Sequence, residues 1–347
     1  MKILIITQTL DSKHSVLGFF VRWVLEFAKQ CEQVTVFCLD KGEDIFPSNV
    51  TVIDVPRKWK GIKTWPLTLA YKAFVHRQKY THVFVHMNPE YILSAGLVWK
   101  ILGKKINLWY AHGAVSLRLK LATALCDSVF SSTSEGFRYK TLKLNIVGQG
   151  IDISLYNNVV TERNLKQPLS LVSIGRTSTS KRLELLLETI SLLKSKYNIE
   201  TICTIIGGPV TEKDVEYEKS LKNLIIKNNL QNNVVWKGPL PLTQAIQILK
   251  TQDVFVHFGN TGSLDKAVLD TMMCGVITMS TNEAVKNILT KIDAESIIKG
   301  PQDAAENIAK IYTRDLSQII SMRKNTRNYI ESNFSLKSLI QRIIVKI

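Results

Sequence analysis

The sequence is poor in cysteine and lacks the spacings that give cysteine a structural role. Its five cysteines, Cys31, Cys38, Cys126, Cys203 and Cys274, are odd in number, far apart and include no Cys-x-x-Cys pair. These features argue against a disulfide framework and against a zinc site. We therefore expect five buried thiols in a reducing compartment, which predicts a cytoplasmic location.

Long apolar runs are missing as well. No run reaches the roughly 18 residues that a membrane-spanning helix needs. The apolar segment at the start, MKILIIT, is too short for the core of a signal peptide, and we expect it to form the first strand. Low-complexity segments and short repeats are absent, which argues against solenoid and array architectures.

Acidic residues are scarce relative to basic ones. The chain has 45 lysines and arginines against 29 aspartates and glutamates, a formal net charge of +16. This excess favours anionic partners, namely nucleotides, acidic lipid headgroups or nucleic acid. The charge is not concentrated on one predicted helix and no nucleic-acid-binding motif is present, so a nucleic-acid partner is not expected.

What the sequence does contain is a regular alternation of apolar strands and helical patterns. In the first half, strands are predicted at Lys2–Thr7, Val34–Leu39, Val50–Val55, His82–Met87, Ile106–Ala111, Ser128–Ser132 and Asn145–Val147. Helices are predicted at Gly18–Gln30, from Pro66 to about Gln78, and after each of the strands that begin at His82, Ile106 and Ser128. Such alternation is typical of a parallel, doubly wound sheet.

The alternation stops at a polar stretch, Asn157–Gln167, which we interpret as a linker, and then resumes. Further strands are predicted at Leu169–Gly175, Thr201–Ile206, Asn233–Trp236, Val254–Phe258 and Val276–Ser280, with helices at Lys181–Lys196, Glu212–Asn228, Leu242–Lys250 and Asn282–Thr290 and a helical remainder. The expected fold is therefore α/β, with tandem Rossmann-like domains at residues 1–160 and 168–331 and a cleft between them.

Two features of the second domain suggest an anion site. The stretch His257–Gly275 combines a strand, a glycine-containing loop and a helix start, where backbone N–H groups and the helix dipole favour negative charge. Arg176 and Lys181 follow the strand that ends at Gly175, and two such cations suit a diphosphate. An ordinary strand–loop–helix corner and a solvated pair of cations are the alternatives.

Six segments, in order along the chain, resemble motifs of the family 4 glycosyltransferases, which have the GT-B fold. They are Trp109-Tyr-Ala-His112, Gly148–Asp152, Gly175-Arg176 with Lys181, Asn233–Gly238, Asp253–His257 and Leu269–Thr278. The resemblance covers nearly the whole chain. It implies a carboxyl-terminal helix, at about residues 335–347, that crosses back onto the first domain, and catalysis without a metal ion or cofactor.

The resemblance also implies roles for individual residues. Arg176 and Lys181 would bind the donor diphosphate and stabilise the departing nucleotide, and Asp270 would bind the ribose. The other implied donor-binding residues are Gly18, Trp236 on the nucleobase strand, and Gly262, Ser263, Leu264 and Asp265 through backbone N–H groups. His112 would face the transferred sugar, although a core histidine is the alternative.

The sequence departs from the family pattern at two positions. The family has two glutamates separated by seven residues, and here Gly262 replaces the first and Asp270 the second. Asp270 keeps the charge with a shorter reach, whereas Gly262 removes a carboxylate that would contact the sugar. We hypothesise that Asp265 or Ser263 substitutes for it.

The acceptor side is less clearly marked. His14, His86 and Glu90 lie near predicted strand ends of the first domain and are candidates, with a helix N-terminal glutamate as the alternative for Glu90. The basic segment from Arg57 to Trp65, which contains Trp59, has the composition of an interface with an anionic membrane. Tryptophans packed on the core beneath a solvated loop are the alternative.

The resemblance implies a retaining glycosyltransferase that moves a sugar from a nucleotide-sugar donor to a glycan or lipid-linked acceptor in surface glycan synthesis. An epimerase or hydrolase on the same fold would consume the donor without an acceptor. A non-catalytic nucleotide-sugar-binding protein, favoured by Gly262 and Asp270, would bind the donor without turnover.

Overall fold

A computed structural model describes residues 1–59, 62–259 and 264–347 of the chain. These residues form two compact units: unit 1 comprises Met1–Gly150 and Leu336–Ile347, and unit 2 comprises Ile151–Ser335. The sequence placed the end of the first domain at residue 160, ten residues later. The difference arises because Ile151 and Tyr156 are buried in an apolar core of unit 2, so the chain joins that unit before the polar stretch begins.

Each unit is built on a parallel sheet. The strands of unit 1 are β1 (Lys2–Leu10), β2 (Gln33–Lys41), β3 (Val50–Asp54), β4 (Lys58–Trp59), β5 (Ile62–Lys63), β6 (His82–His86), β7 (Lys105–Trp109), β8 (Ser128–Ser131) and β9 (Leu144–Ile146). Those of unit 2 are β10 (Leu169–Ile174), β11 (Thr201–Ile206), β12 (Val234–Gly238), β13 (Val254–His257) and β14 (Ile277–Ser280). The short β4 and β5 form a separate antiparallel pair.

The α-helices in the described ranges follow the predicted alternation. They are α1 (Phe20–Gln30), α2 (Trp65–Val75), α3 (Pro89–Ile101), α4 (Leu117–Leu125), α5 (Leu183–Tyr197), α6 (Glu212–Lys227), α7 (Leu242–Leu249), α8 (Lys266–Met273), α9 (Glu283–Ile292), α10 (Pro301–Tyr312), α11 (Leu316–Asn333) and α12 (Leu336–Ile344). In unit 1, α1 and α12 cover one face of the sheet, and α2, α3 and α4 cover the other.

The strand orders are β3-β2-β1-β6-β7-β8-β9 in unit 1 and β12-β11-β10-β13-β14 in unit 2. Both are doubly wound, which confirms the predicted fold class. In such sheets the order reverses at a switch point, and ligands bind beyond the carboxyl ends of the strands that flank it. The switch points lie between β1 and β6 in unit 1 and between β10 and β13 in unit 2.

One predicted helix is wrong. Residues 132–143, after β8, form turns and irregular backbone instead of a helix. The segment is rich in residues that compete with helical hydrogen bonds: the Thr133 hydroxyl accepts the Gly136 N–H at 3.0 Å, which closes a local turn. The chain therefore passes from β8 to β9 without a covering helix.

A buried ionic network anchors the start of β13. Asp253 precedes the strand, and its Oδ1 accepts hydrogen bonds from Arg323 of α11 at 3.1 Å and from Arg163 at 2.9 Å. The Arg323 side chain is fully buried. Burial, reinforced by the nearby charge of Arg163, lowers the pKa of Arg323 to about 10, although Asp253 opposes the shift. The network thus depends on one carboxylate between two guanidinium groups.

We expect Asp253→Asn to destabilise unit 2 by roughly 3–5 kcal/mol, because it leaves buried cations without a counter-charge. The free energy of unfolding, measured by urea titration with circular dichroism, tests this. Lys324→Ala is the matched control: Lys324 is the next residue on α11, and its pair with Glu162 lies at the surface. Equal unfolding midpoints for the two variants would contradict the prediction.

Candidate functional site

Glycines shape the backbone at the switch point of unit 2. Gly175, directly after β10, and Gly207, directly after β11, have φ values of +134° and +132°. A Cβ on Gly207 would lie 1.8 Å from the Gly175 carbonyl oxygen, so only glycine fits this close approach. A Cβ on Gly175 would lie 3.3 Å from Cε of Lys181. The Lys181 side chain therefore lies across the end of β10.

Lys181 is not part of the helix that it was predicted to begin. It ends a 3₁₀ turn, Thr179–Lys181, and Arg182, at φ +52°, separates that turn from α5. Arg182 interrupts the helical hydrogen-bonding pattern, so Lys181 lies outside the first turn of α5. Its ammonium is therefore not placed at the positive end of the helix dipole as a residue of that turn would be. Its partner is the carboxylate of Asp265, which lies after the neighbouring strand β13.

Asp265 joins Lys181 to a buried histidine. Its Oδ2 accepts a hydrogen bond from Lys181 Nζ and lies 3.5 Å from Nε2 of His257, the last residue of β13. Its Oδ1 accepts the Ala267 N–H at 3.2 Å, which makes Asp265 the N-cap of α8. One carboxylate therefore holds the start of α8, the Lys181 ammonium and the end of β13 together.

The other side of the His257 ring is also fixed. Nδ1 lies 3.0 Å from the hydroxyl of Ser280, at the end of β14, and that hydroxyl accepts the Asn282 N–H. If the hydroxyl hydrogen is directed at Nδ1, the neutral ring carries its proton on Nε2, which faces Asp265. Gly259 closes the arrangement, because a Cβ there would lie 2.5 Å from Nε2.

Opposing effects set the pKa of Asp265. Burial alone would raise it, but the positive charge of Lys181 and the contact with His257 outweigh burial, so the pKa lies well below its usual range. The side chains of Lys181 and Asp265 are only 18% and 20% exposed. The two groups thus form a charged pair largely shielded from solvent.

A second acid–base cluster lies on α8. Asp270, which is buried, accepts hydrogen bonds from Lys266 Nζ at 2.7 Å and 2.8 Å on its two oxygens, and from the hydroxyl of buried Tyr156 on Oδ1. Burial raises the pKa of Tyr156 well above its usual value, and the negative charge of Asp270 adds to the shift. Asp270, the predicted ribose ligand, therefore has both oxygens engaged by side chains of unit 2.

The remaining predicted donor residues of unit 2 have varied surroundings. Arg176 is exposed, and its Nε lies 3.9 Å from Asp214, near the start of α6. Trp236 lies in mid-strand on β12, with Lys222 Nζ 5.5 Å from the ring centroid. Leu264 is buried in an apolar core. Gly262 and Ser263 lie outside the described residues.

In unit 1, Gly18 and His14 belong to the loop that follows β1. A Cβ on Gly18 would lie 2.5 Å from the His14 carbonyl oxygen, so the close approach at Gly18 is to the chain's own backbone. Nδ1 of His14 accepts the N–H groups of Val16 and Leu17 at 3.1 Å and 3.0 Å. The proton of the neutral ring is then on Nε2.

The other three predicted residues of unit 1 follow β6 and β7, or lie at their ends. His112 is exposed in the loop after β7, and its Nδ1 accepts the Ala114 N–H at 3.1 Å. Glu90, in the first turn of α3, is paired with Arg118 of α4. His86 is buried and stacks on Phe20 with ring centroids 4.0 Å apart, and burial lowers its pKa to about 3. The surroundings of His86 are those of a core histidine.

The predicted membrane segment is only partly described. The side chain of Trp65 is buried against Tyr91, with ring centroids 5.4 Å apart, and Arg57 forms a two-pronged ion pair with Asp40. These contacts match the alternative of a core-packed tryptophan at that position. The side chain of Trp59 and residues 60–61 lie outside the description.

Four residues with contacts in the site were given no role by the sequence: Tyr156, His257, Lys266 and Ser280. Lys266 and Asp270 are four residues apart on a predicted helix, a spacing that signals an ion pair. The polar end of β13, where His257 follows three apolar residues, is a weaker signal. Nothing local to Tyr156 indicates its bond to Asp270, 114 residues away.

Within residues 1–59, 62–259 and 264–347, no three histidine, cysteine, aspartate or glutamate side chains are grouped as metal ligands would be. No helix in the same ranges combines the length and the apolar character that crossing a bilayer requires.

Two family models match the chain. The model described as "Glycosyl transferases group 1" matches residues 159–332, and the model described as "Glycosyl transferase 4-like" matches residues 10–128. The first match lies within unit 2 and includes Arg176, Lys181, Asp265 and Asp270. The second lies within unit 1 and includes Gly18 and His112. The matches confirm the resemblance that the motifs indicated.

Curated relatives match only in part. The chain is 23% identical over 205 residues to an uncharacterized glycosyltransferase of Methanocaldococcus jannaschii, which covers 56% of this chain and 50% of the relative. It is 25% identical over 177 residues to GDP-Man:Man(3)GlcNAc(2)-PP-Dol alpha-1,2-mannosyltransferase of Dictyostelium discoideum, over 48% of this chain and 35% of the relative. The chain spans half or less of the length of these relatives.

Structural similarity extends over the whole chain. The fold is similar to that of HepE of Anabaena, solved in complex with UDP and glucose, with a TM-score of 0.75 and 14% sequence identity over 99% of this chain and 98% of that one. Because the sequence identity is only 14%, this similarity establishes the fold alone, which is GT-B.

The low pKa of Asp265 predicts a pH-dependent contribution to stability. A carboxylate with a lower pKa in the folded than in the unfolded state stabilises the fold above its unfolded pKa of about 4, and this contribution is lost as pH falls. We expect Asp265→Asn to be less stable than the wild type at pH 7, with a difference that shrinks as the pH is lowered from about 5. Urea titrations across this pH range measure it.

A double-mutant cycle supplies the control. In a Lys181→Met background, Asp265→Asn removes a carboxylate that has already lost its main partner. We expect a coupling free energy of roughly 1–3 kcal/mol between the two positions at pH 7. Additive effects at pH 7, or a difference between wild type and Asp265→Asn that stays constant with pH, would contradict the assignment.

Proposed function

The chain belongs to the family of group 1 glycosyl transferases and is a GT-B glycosyltransferase. From that premise we propose that it transfers a sugar from a nucleotide-sugar donor to a glycan or lipid-linked acceptor. We propose that the transfer retains the anomeric configuration of the sugar. The observation that carries the proposal is the position of Arg176 and Lys181. Both follow β10, at the switch point where a doubly wound sheet binds ligands.

Lys181 suits the diphosphate because it is already held in place. An ammonium has three N–H donors, and Asp265 accepts one of them, which leaves two for phosphate oxygens. Arg176, with its guanidinium exposed, would provide planar, two-pronged contacts. Two cations near the bond that breaks, of which Lys181 is held in place, would stabilise the negative charge that develops on the departing nucleotide.

The same geometry supports catalysis without a bound metal ion. Retaining transfer through an oxocarbenium-like state needs stabilisation of the leaving group, and Arg176 and Lys181 would supply the positive charge that a divalent cation provides elsewhere. The resemblance assigns His112 to the transferred sugar, and its exposure after the carboxyl end of β7 leaves its side chain accessible to a ligand. Its Nδ1 is occupied by the Ala114 N–H, so Nε2 is the atom that would act on a ligand.

Relatives support the classes of donor and acceptor. HepE was solved with UDP-glucose, and the Dictyostelium relative carries GDP-mannose and a dolichyl diphosphate glycan in its name. We accordingly propose a UDP- or GDP-linked hexose as donor and a lipid-linked glycan as acceptor, used at the cytoplasmic face of a membrane. Synthesis of a surface polysaccharide or glycoconjugate is the process that such chemistry would serve.

We expect one nucleotide sugar in a panel of UDP- and GDP-hexoses to raise the melting temperature of the wild-type protein. Lys181→Met should weaken binding of that donor about 10- to 100-fold, since it removes a charge-assisted contact to the diphosphate. Thermal shift and calorimetry measure both effects. Lys286→Met, at an exposed position of α9, is the matched control and should bind like the wild type.

Turnover separates the transferase from its alternatives. Donor consumption that needs a glycan-lipid acceptor, and that persists in EDTA, is expected of the proposed enzyme. Consumption without any acceptor would favour an epimerase or hydrolase, and donor binding without consumption would favour a non-catalytic binding protein. If no nucleotide sugar shifts the melting temperature, or if Lys181→Met binds the donor as tightly as the wild type, the proposed site is wrong.

A further inference from the structure

The outer face of the α2–α3–α4 layer in unit 1 is unusually apolar. The three helices are neighbours, with α2 packed on α3 and α3 on α4, and their inward residues share one core. Their exposed residues include Leu67, Tyr71, Phe74, Leu93, Leu97, Ile101, Leu117 and Leu121. Within each helix these residues recur every three or four positions, so they form a stripe on the side opposite the core.

The exposure is substantial. Leu67 is 78% exposed, Leu97 67% and Ile101 86%. Scattered apolar residues are normal on protein surfaces, but three adjacent stripes form a contiguous patch of the kind that marks an interaction site. We call this surface, defined by the exposed residues of α2, α3 and α4 given above, the apolar face.

The opposite layer of the same sheet provides a comparison. There, α1 exposes Lys29, and α12 exposes Lys337 and Gln341. Both layers bury their inner sides against the same strands, so packing requirements on the sheet are alike. The outward sides differ because α1 and α12 expose polar residues at these positions, whereas α2, α3 and α4 expose large apolar residues between their charged ones. The apolar face is therefore a local property of α2, α3 and α4.

The charges on and beside the apolar face are mostly positive. The three helices contain Lys72, Lys100, Arg118 and Lys120 but a single acidic residue, Glu90, which is paired with Arg118. Asp127, two residues after α4, is paired with Lys100. Arg77, Lys79, Lys104 and Lys105 follow α2 and α3 directly. Docking a second copy of this face would bring like charges together, whereas an anionic lipid surface offers both an apolar interior and a matching charge.

We propose that the apolar face docks on a bilayer containing anionic lipid. Its leucine, isoleucine and aromatic side chains enter the boundary between headgroups and acyl chains, and the surrounding cations contact the headgroups. The docking surface lies on the helices that follow the segment Arg57–Trp65, since Trp65 itself is buried. This inference rests on the proposed function in one respect: a lipid-linked acceptor lies in the same membrane.

The test compares binding to vesicles of phosphatidylcholine with and without phosphatidylglycerol, by co-sedimentation. The wild type should bind the anionic vesicles, and the triple variant Leu67→Gln, Leu97→Gln, Ile101→Gln should lower the partition coefficient at least about tenfold. The matched control is Val215→Gln, Ile226→Gln on α6 of unit 2, where both residues are also exposed and apolar. The control should bind like the wild type.

Three outcomes would overturn the proposal: a wild type that does not bind anionic vesicles, a triple variant that binds as tightly, or a control that loses binding equally. A fourth would be a wild-type dimer in sedimentation velocity that the triple variant makes monomeric, because a second copy would then cover the face. Circular dichroism establishes that each variant is folded.

Failure of this proposal is distinguishable from failure of the proposed function. The donor-induced shift in melting temperature is measured without vesicles, so it reports on the site of unit 2 alone. We expect the triple variant to keep that shift. A protein that binds vesicles but no nucleotide sugar would refute the proposed function and support the docking surface. A protein that binds a nucleotide sugar but no vesicles would support the proposed function and refute the docking surface.

Discussion

The site of unit 2 depends on the carboxylate of Asp265. It accepts a hydrogen bond from Lys181, faces His257 and caps α8, so the turn after β10 meets the end of β13 and the start of α8 at its two oxygens. Burial of a lone carboxylate is unfavourable, and here the adjacent ammonium more than offsets that cost. The position of Lys181, on which the proposed diphosphate contact relies, follows from this one ion pair.

Charged groups also hold the elements around that pair. Strand β13 has Asp253 before its first residue, tied to Arg323 of α11, and His257 at its end, tied to Ser280. Arg327, one turn further along α11, donates to the Met273 carbonyl at the end of α8 and to the carbonyl of Tyr156. A cation at that position complements the negative end of the helix dipole. Both elements that present the site are therefore fixed at their two ends.

Much of this fold could be predicted from sequence because its signals are local. Apolar runs alternate with helical patterns, and that alternation alone leads to doubly wound sheets and puts Arg176 and Lys181 after β10.

Contacts between distant side chains carry no such signal. Asp265 was expected to offer a backbone N–H or to replace a missing carboxylate, and its ion pair with Lys181, 84 residues away, was not predicted. Asp270 is bound to Tyr156, which the sequence placed at the end of the first domain and the structure places in unit 2. The local sequence around His86 is compatible with a buried ring and with an exposed one. Only the packing of the ring against Phe20 shows that it is buried.

In this site lysines are paired with carboxylates, and this pairing explains why acidic residues are compatible with an anion-binding role. Lys181 and Lys266 are each held by a carboxylate, Asp265 and Asp270, while Arg176 is exposed to solvent. The two carboxylates reduce the total positive charge, but they also fix the lysine side chains, whose rotamer entropy would otherwise oppose binding. Removing a carboxylate would leave a stronger but poorly oriented charge. A preorganised ammonium of known direction stabilises a developing negative charge better than a mobile one does, because no reorganisation is needed during the reaction.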